Sequence, residues 1–289
     1  MKIARYWEKT TLSAQMPSGK TVPVLGWGWS ETSREEAQSR ARKSAQRAAS
    51  WLESKIKTPS TYGYCDRPPR EEILREIQNA KGEAVAVITR NAYGVQVLNT
   101  RNLMFIDVDI PPSKPMEGFT QTIQKLFGKT VEKPETEIRR KIAATAARRP
   151  EYSFRLYRTA AGFRCVLTNQ LMNAEENESR KLLSEFGADV LYQKLCRSQE
   201  CYRARLTPKF WRCGARRPPH RFPFDSPQDE QQYRSWQREY EAKCQAFAVC
   251  RFIETFGAQK NSHGGNQELQ MLIALHDKLT QADSNLKLA

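Results

Sequence analysis

Histidine is scarce in this chain: His220, His263 and His276 are the whole supply among 289 residues. They form neither an HExxH helix nor a His-rich set, which excludes the usual zinc-hydrolase signatures. No GxxxxGK[ST] run occurs, so a P-loop NTPase is excluded. No GxGxxG follows a strand-like segment, so a Rossmann cofactor site is excluded too. A GxSxG elbow is also missing. No apolar stretch approaches the ~18 residues of a membrane span. Residues 1–15 are polar and charged, without the apolar centre of a secretory signal. Seven cysteines are an odd number, irregularly spaced, in a chain too long to need staples. They read as reduced thiols of a cytoplasmic protein.

Positive charge is abundant. Lys and Arg number 47 against 32 Asp and Glu, a net of +15. The excess is concentrated: residues 139–221 hold 19 basic and 7 acidic residues. A solvated surface of mixed sign does not localise charge in this way, whereas a partner rich in phosphate accounts for it. No basic amphipathic helix with a large aromatic face is present to seat the chain on a membrane. With 39% hydrophobic residues the chain has material for a core.

The periodicity predicts an α+β protein with a mostly antiparallel, RRM-like sheet, flanking helices and a C-terminal helical region. Residues 22–29 read as a strand ending in Gly26-Trp27-Gly28-Trp29. Ser33 and Glu36 form a capping box. The helix behind it places Ala37, Ala41, Ala45 and Ala48 on one face, small enough to pack closely on a sheet, and basic residues on the other. Trp27 and Trp29 are expected in the core, with a stacking platform for bases as the alternative. Residues 71–79 read as a short helix. Residues 84–89, 95–99 and 103–110 read as a β-meander, and 154–158 with 164–168 as a strand pair. Helices are expected over 135–148 and 175–186, and a long one from Tyr233 through Phe247 to Cys250. The expected divisions are residues 1–80, an N-terminal α/β unit; 81–225, the core; and 226–289, C-terminal helices.

The segment Leu103-Met104-Phe105-Ile106-Asp107-Val108-Asp109-Ile110 reads as a central strand. Its two aspartates at i and i+2 project from one face, within reach of a shared divalent cation. Two like charges near a core repel and are costly to desolvate, and magnesium or manganese removes both problems. Alternatively they lie at the solvent end of the strand, before Pro111. The block from Cys201 to Arg212 interleaves rings and cations. There Arg203 and Arg205 share a face if the segment is a strand, Lys209 follows Pro208, and Tyr202 and Trp211 can stack on bases; the alternative is an Arg-rich strand with its aliphatic stems on the core and Tyr202, Phe210 and Trp211 buried. Cys196, Cys201, Cys213 and His220 form a candidate zinc set, with buried thiols as the alternative. His276 lies on the apolar face of the last helix and is expected to be a satisfied core histidine.

The order of hairpin, hhhDhD strand, helices and a strand–turn–strand ending in Gly-x-basic resembles the archaeo-eukaryotic primase superfamily over roughly residues 80–210. The resemblance implies that Asp107 and Asp109 bind Mg or Mn. It places Asp189 as the third catalytic acid. It aligns Arg164 with a histidine that contacts nucleotide phosphate, and Arg158, Arg164, Arg203, Arg205 and Lys209 become candidate phosphate ligands. The expected function is a metal-dependent nucleotidyltransferase working on single-stranded DNA or RNA with nucleoside triphosphates, among replication or mobile-element proteins. A non-catalytic nucleic-acid binder of the same fold, and a nuclease using the same aspartates, are the alternatives.

Overall fold

The computed structural model describes residues 1–53, 68–111, 133–257 and 266–289. The architecture is α+β with antiparallel sheets. Strands β1 (Tyr6–Gln15) and β2 (Thr21–Ser30) form a ten-residue hairpin, with Tyr6 opposite Ser30 and Gln15 opposite Thr21. Helix α1 (Arg34–Glu53) lies on one face of it with Ala37, Ala41 and Ala45 buried. The contact is backbone to backbone. A Cβ on Gly28 would come within 1.9 Å of the Ala37 carbonyl oxygen, and one on Gly26 within 2.3 Å of the Ala45 nitrogen. Alanine on the helix and glycine on the strand are therefore two halves of one requirement. The cap differs in detail from the sequence expectation. Ser33 Oγ accepts from the Glu36 amide, but Glu36 reaches back to the Ser30 and Thr32 hydroxyls, and the Ser30 hydroxyl takes the Ser33 amide.

Two four-stranded antiparallel sheets make the body. The first runs β3 (Glu72–Gln78), β4 (Ala84–Arg90), β5 (Gln96–Thr100), β9 (Tyr202–Arg205). The second runs β11 (Cys250–Phe256), β7 (Phe154–Thr159), β8 (Gly162–Leu167), β6 (Phe105–Asp109). The sheets adjoin where β6 meets β9. Around them lie α2 (Pro134–Ala147), α3 (Asn177–Glu185), α4 (Val190–Gln199), α5 (Pro227–Cys244) and α6 (Gln267–Thr280). A short parallel pair, β10 (Phe247–Ala248) with β12 (Lys287–Leu288), ties down the last residues. One hydrophobic cluster spans both sheets, from Leu98 and Ile106 to Phe154, Leu182 and Leu272. A smaller one, Cys213, Tyr233, Trp236 and Tyr240, sits under α5. No helix of the described residues is long and apolar enough to cross a membrane.

Three expectations are corrected. Residues 71–79 are not a helix but the edge strand β3; its register shifts between Ile73 and Arg75 and again between Ile77 and Gln78. Such bulges interrupt the two-residue alternation and leave Ile73, Leu74 and Ile77 at helix-like spacing. The meander stops after β5, because β5 takes β9 as its next neighbour and β6 pairs with β8 in the other sheet. The long helix ends at Cys244; Phe247 begins β10 and Cys250 begins β11, which pairs with β7. The region expected to be helical at the C-terminus thus contributes a strand to the body, and β3 joins the same sheet as β4.

Candidate phosphate-binding cleft

Asp107 stands directly opposite Arg164 across the β6–β8 ladder. Close pairing of the two strands is enforced at Gly162, opposite Asp109, where a Cβ would lie 2.0 Å from the Val108 carbonyl oxygen. Arg164 Nε donates to Asp107 Oδ1 at 2.7 Å and Nη2 to Oδ2 at 3.0 Å. Its Nη1 donates to the Arg205 carbonyl oxygen at 3.2 Å and to His276 Nε2, also at 3.2 Å. A guanidinium only donates, so His276 Nε2 accepts, and the proton is on Nδ1, facing Asp277 Oδ1 at 2.9 Å. Tyr157 Oη donates to the same Asp277 oxygen at 2.8 Å, and Arg155 pairs with Oδ2 at 3.1 Å. A string of hydrogen bonds therefore crosses the core from Asp107 to Asp277.

The charge states follow from this wiring. Burial pushes the Asp107 carboxyl up, but the Arg164 guanidinium, with the Arg205 charge adding to it, holds it below the ordinary carboxylate value. Burial lowers the His276 pKa, and the Arg164 charge adds to that against the pull of Asp277, so the ring is neutral. Arg164 stays charged.

Asp107 also lines a cleft of about 650 Å³ with Asp189, Tyr192, Arg203, Arg205 and Lys209. Arg70, Tyr93, Arg221 and Phe222 belong to the same lining. Asp189 caps α4, its Oδ1 accepting from the Tyr192 amide at 2.8 Å. Asp109 stands at the exposed end of β6. Partial burial of its carboxyl, then the Asp107 and Asp189 charges, raise its pKa, with Arg205 and Lys209 opposing. Asp107 and Asp189 thus line the cleft, and Asp109, outside its lining, is near enough to both for their charges to act on it.

The basic residues divide sharply. Arg164 is 1% exposed and its fork is closed on Asp107, so no phosphate reaches it. Arg203 is held by Glu71 at 2.6 Å, both buried, while Glu71 also accepts from the Thr89 hydroxyl. Arg158 pairs with Glu135 at 2.7 Å and donates to the Thr159 and Gly162 carbonyls, away from the cleft. These three are corrections to the phosphate set. Arg205 and Lys209 are different. Neither forms an ion pair among the described residues. Burial lowers Arg205 below its ordinary value; the Arg164 and Arg212 charges add to this, and Asp107 opposes it. Burial and then Arg205 and Arg212 lower Lys209. A group of cations, partly desolvated and crowding one another, is stabilised by an anion.

The rings divide as well. Tyr202 is fully buried and hydrogen-bonded to Ser179 at 2.6 Å, so it is not available to stack on a base. Trp211 is half exposed, edge-on to Tyr93 at 5.8 Å, with Lys209 Nζ 5.1 Å from its ring centre. The sequence reading missed Tyr93, Arg70 and Arg221. An aromatic residue at the tip of the turn Asn91-Ala92-Tyr93-Gly94 was the one available signal for Tyr93.

As placed, the aspartates do not fit a divalent-metal centre. Both oxygens of Asp107 accept from Arg164, which already supplies the positive charge. Among the described residues no three His, Cys, Asp or Glu side chains are grouped to hold a metal ion. The zinc candidates are parted: Cys196 belongs to the main core, Cys213 to the cluster under α5, and His220 bonds Gln232 near the surface. Burial pushes the Cys196 thiol up to about 12 and the Cys201 thiol up to about 11. No protein-family model, no curated protein and no solved structure matches the chain.

Proposed function

We propose that this protein binds single-stranded nucleic acid, holding backbone phosphates in the cleft with Arg205 and Lys209 and a base against Trp211 and Tyr93. One observation carries this reading: Arg205 and Lys209 are partly desolvated cations in a concave wall, with no ion-pair partner among the described residues. Arg205 presents a fork suited to phosphate, and Lys209 a point charge beside an exposed ring. The concentration of basic residues between 139 and 221 supports the same partner.

Fluorescence anisotropy with a labelled single strand tests the reading. Arg205→Ala is expected to weaken binding by about 1.5–3 kcal/mol, the range for a lost charge-assisted hydrogen bond. Arg158→Ala, outside the cleft, is expected to change it little. Equal affinities for wild type and the Arg205→Ala, Lys209→Ala double variant would remove the cleft from the function.

A nucleotidyltransferase reading keeps one observation in its favour: Asp107 and Asp189 line the same cleft, and their charges raise the pKa of nearby Asp109. It requires Arg164 to release Asp107. Nucleotide incorporation on a primed or unprimed template, measured with Mg or Mn and lost in Asp109→Asn, would establish it.

A further inference from the structure

The chain leaves the cleft at Lys209 and returns to it at Arg221. From Arg205 to Arg221 it holds six cations, Arg205, Lys209, Arg212, Arg216, Arg217 and Arg221, and no acidic residue. None of the six forms an ion pair with a described residue, in contrast to Arg158, Arg164 and Arg203. The segments outside the described residues contain three acids in all, Asp66, Glu117 and Glu132, too few to neutralise this set. Arg212 is half-buried, Arg216 and Arg217 are exposed, and all three lie outside the cleft lining. They make up the outer part of the loop.

Arg205, Lys209 and Arg212 repel one another, so the loop needs a frame, and α5 supplies it. Tyr240 Oη donates to the Pro208 carbonyl oxygen at 2.6 Å, Lys243 Nζ to that of Gly214 at 2.7 Å, and the Trp236 indole N–H to that of Arg216 at 2.8 Å. Trp236 also seats the turn that carries Tyr93: a Cβ on Gly94 would lie 2.1 Å from its ring. Arg90 joins that turn to α5 by donating to the Gly94 carbonyl at 2.9 Å and to Glu241 at 2.6 Å. One helix therefore sets both the ring at the cleft and the backbone that carries the cations beyond it. A backbone fixed before binding does not have to be ordered at the expense of affinity.

We infer that the outer part of this loop is a second contact surface for the same ligand: a single strand seated in the cleft continues over Arg212, Arg216 and Arg217, which hold its phosphates. This rests on the cleft reading above and adds a length requirement to it. The run Gly214-Ala215-Arg216-Arg217-Pro218-Pro219 has no ring, so it meets phosphates and does not stack on bases. It also lacks the aromatic or large aliphatic anchors found at the centre of protein interfaces, which selects a nucleic acid over an acidic protein. The other way out of the cleft, past Arg70 toward the hairpin β1–β2, offers less. Trp27 and Trp29 there are half-buried rather than in the core, Arg70 and Arg40 already lie against their rings, and Glu36 holds Arg40 at 2.6 Å.

The test is the salt dependence of affinity for oligothymidylates of about 4 and about 16 nucleotides, the range of single-strand site sizes, with the full chain. Arg216→Ala with Arg217→Ala changes two exposed side chains. It is expected to weaken the long strand and to reduce the slope of log K against log salt by about 1.4, at about 0.7 per phosphate contact, with the short strand unaffected. Arg216→Lys with Arg217→Lys is expected to keep the wild-type slope, because counterion release depends on charge and not on the fork. Arg139→Ala with Lys141→Ala removes the same charge from α2, where both cations are ion-paired, and is expected to leave both strands as in the wild type. An unchanged long-strand slope in the Arg216→Ala, Arg217→Ala variant would overturn the inference. So would a loss matched by the α2 variant, or an equal loss for both lengths. Short-strand binding that ignores Arg205→Ala would instead overturn the cleft reading, so the two failures are separable.

Discussion

Arg164 and Arg205 both lie beside Asp107, yet they answer to different physics. Arg164 is buried and four of its five N–H donors are taken, two by Asp107, one by the Arg205 carbonyl and one by His276. Arg205 stands in the cleft wall with no ion-pair partner among the described residues and with other cations near it. The inner arginine is part of the scaffold; the outer one lines the cleft. Basic residues near a cleft are thus sorted by what already neutralises them. Three of the five cations expected to hold phosphate fail that test, and two pass.

The comparison can be broken from the inside first. Arg164→Met leaves a carboxylate, a backbone carbonyl and His276 Nε2 without their donor. It is expected to cost about 3–5 kcal/mol of stability, as for one partner removed from a buried ion pair, read as a fall in the urea midpoint. Asp107→Asn is expected to destabilise as well, the reverse of what two repelling aspartates on a strand would give. Because Asp107 is held below its unfolded value, its contribution is present above about pH 3.9 and is lost as pH falls through the folded pKa. The next effect is on the outer arginine: Arg205→Ala should leave the urea midpoint nearly unchanged and weaken single-strand binding as stated above.

His276 gives a smaller, pH-dependent effect. Its folded pKa lies below the unfolded value of about 6.5, so the unfolded state takes up the proton first. Stability from neutral His276 is full above that pH and declines as pH falls below it. His276→Gln, which can accept from Arg164 without titrating, is expected to flatten the stability profile between about pH 6.5 and 5. A variant with the wild-type slope in that window would show that the ring does not titrate as described. The smallest effect belongs to Asp109. Its pKa is raised on folding, so its charge disfavours the folded state above the unfolded pKa and costs nothing below it. Asp109→Asn should raise the melting temperature slightly at pH 7, with no gain at pH 3. It should also tighten phosphate binding by removing a negative charge beside Arg205 and Lys209.

Local patterns were legible and partnerships were not. The alanine spacing of α1, the strand pair β7–β8 and the strand character of β6 all follow from periodicity and turn residues, so the α+β class follows too. The helical misreading of β3 came from bulges that only strand pairing reveals. The departure of β6 into the second sheet depends on β9, about a hundred residues downstream, and no local signal encodes it. For the candidate site, Asp107 and Asp109 were singled out from residue type and spacing and Asp189 through the resemblance, but the fate of Arg164 was hidden in register. An arginine on a strand looks the same whether it faces a ligand or the aspartate across the ladder. Tyr202 shows the same limit, since alternation alone did not say which face of β9 was core. His276 was read correctly because its helical spacing with Leu269 and Leu272 already placed it inside.

The most direct test of phosphate binding by Arg205 and Lys209 is the salt dependence of single-strand affinity. Each phosphate contact releases counterion, and the slope of log K against log salt changes by about 0.7 per contact on a single strand. The wild type is expected to show a steep slope, reduced by about 1.4 in the Arg205→Ala, Lys209→Ala double variant and unchanged in Arg158→Ala. A slope that is the same in all three proteins would contradict the account.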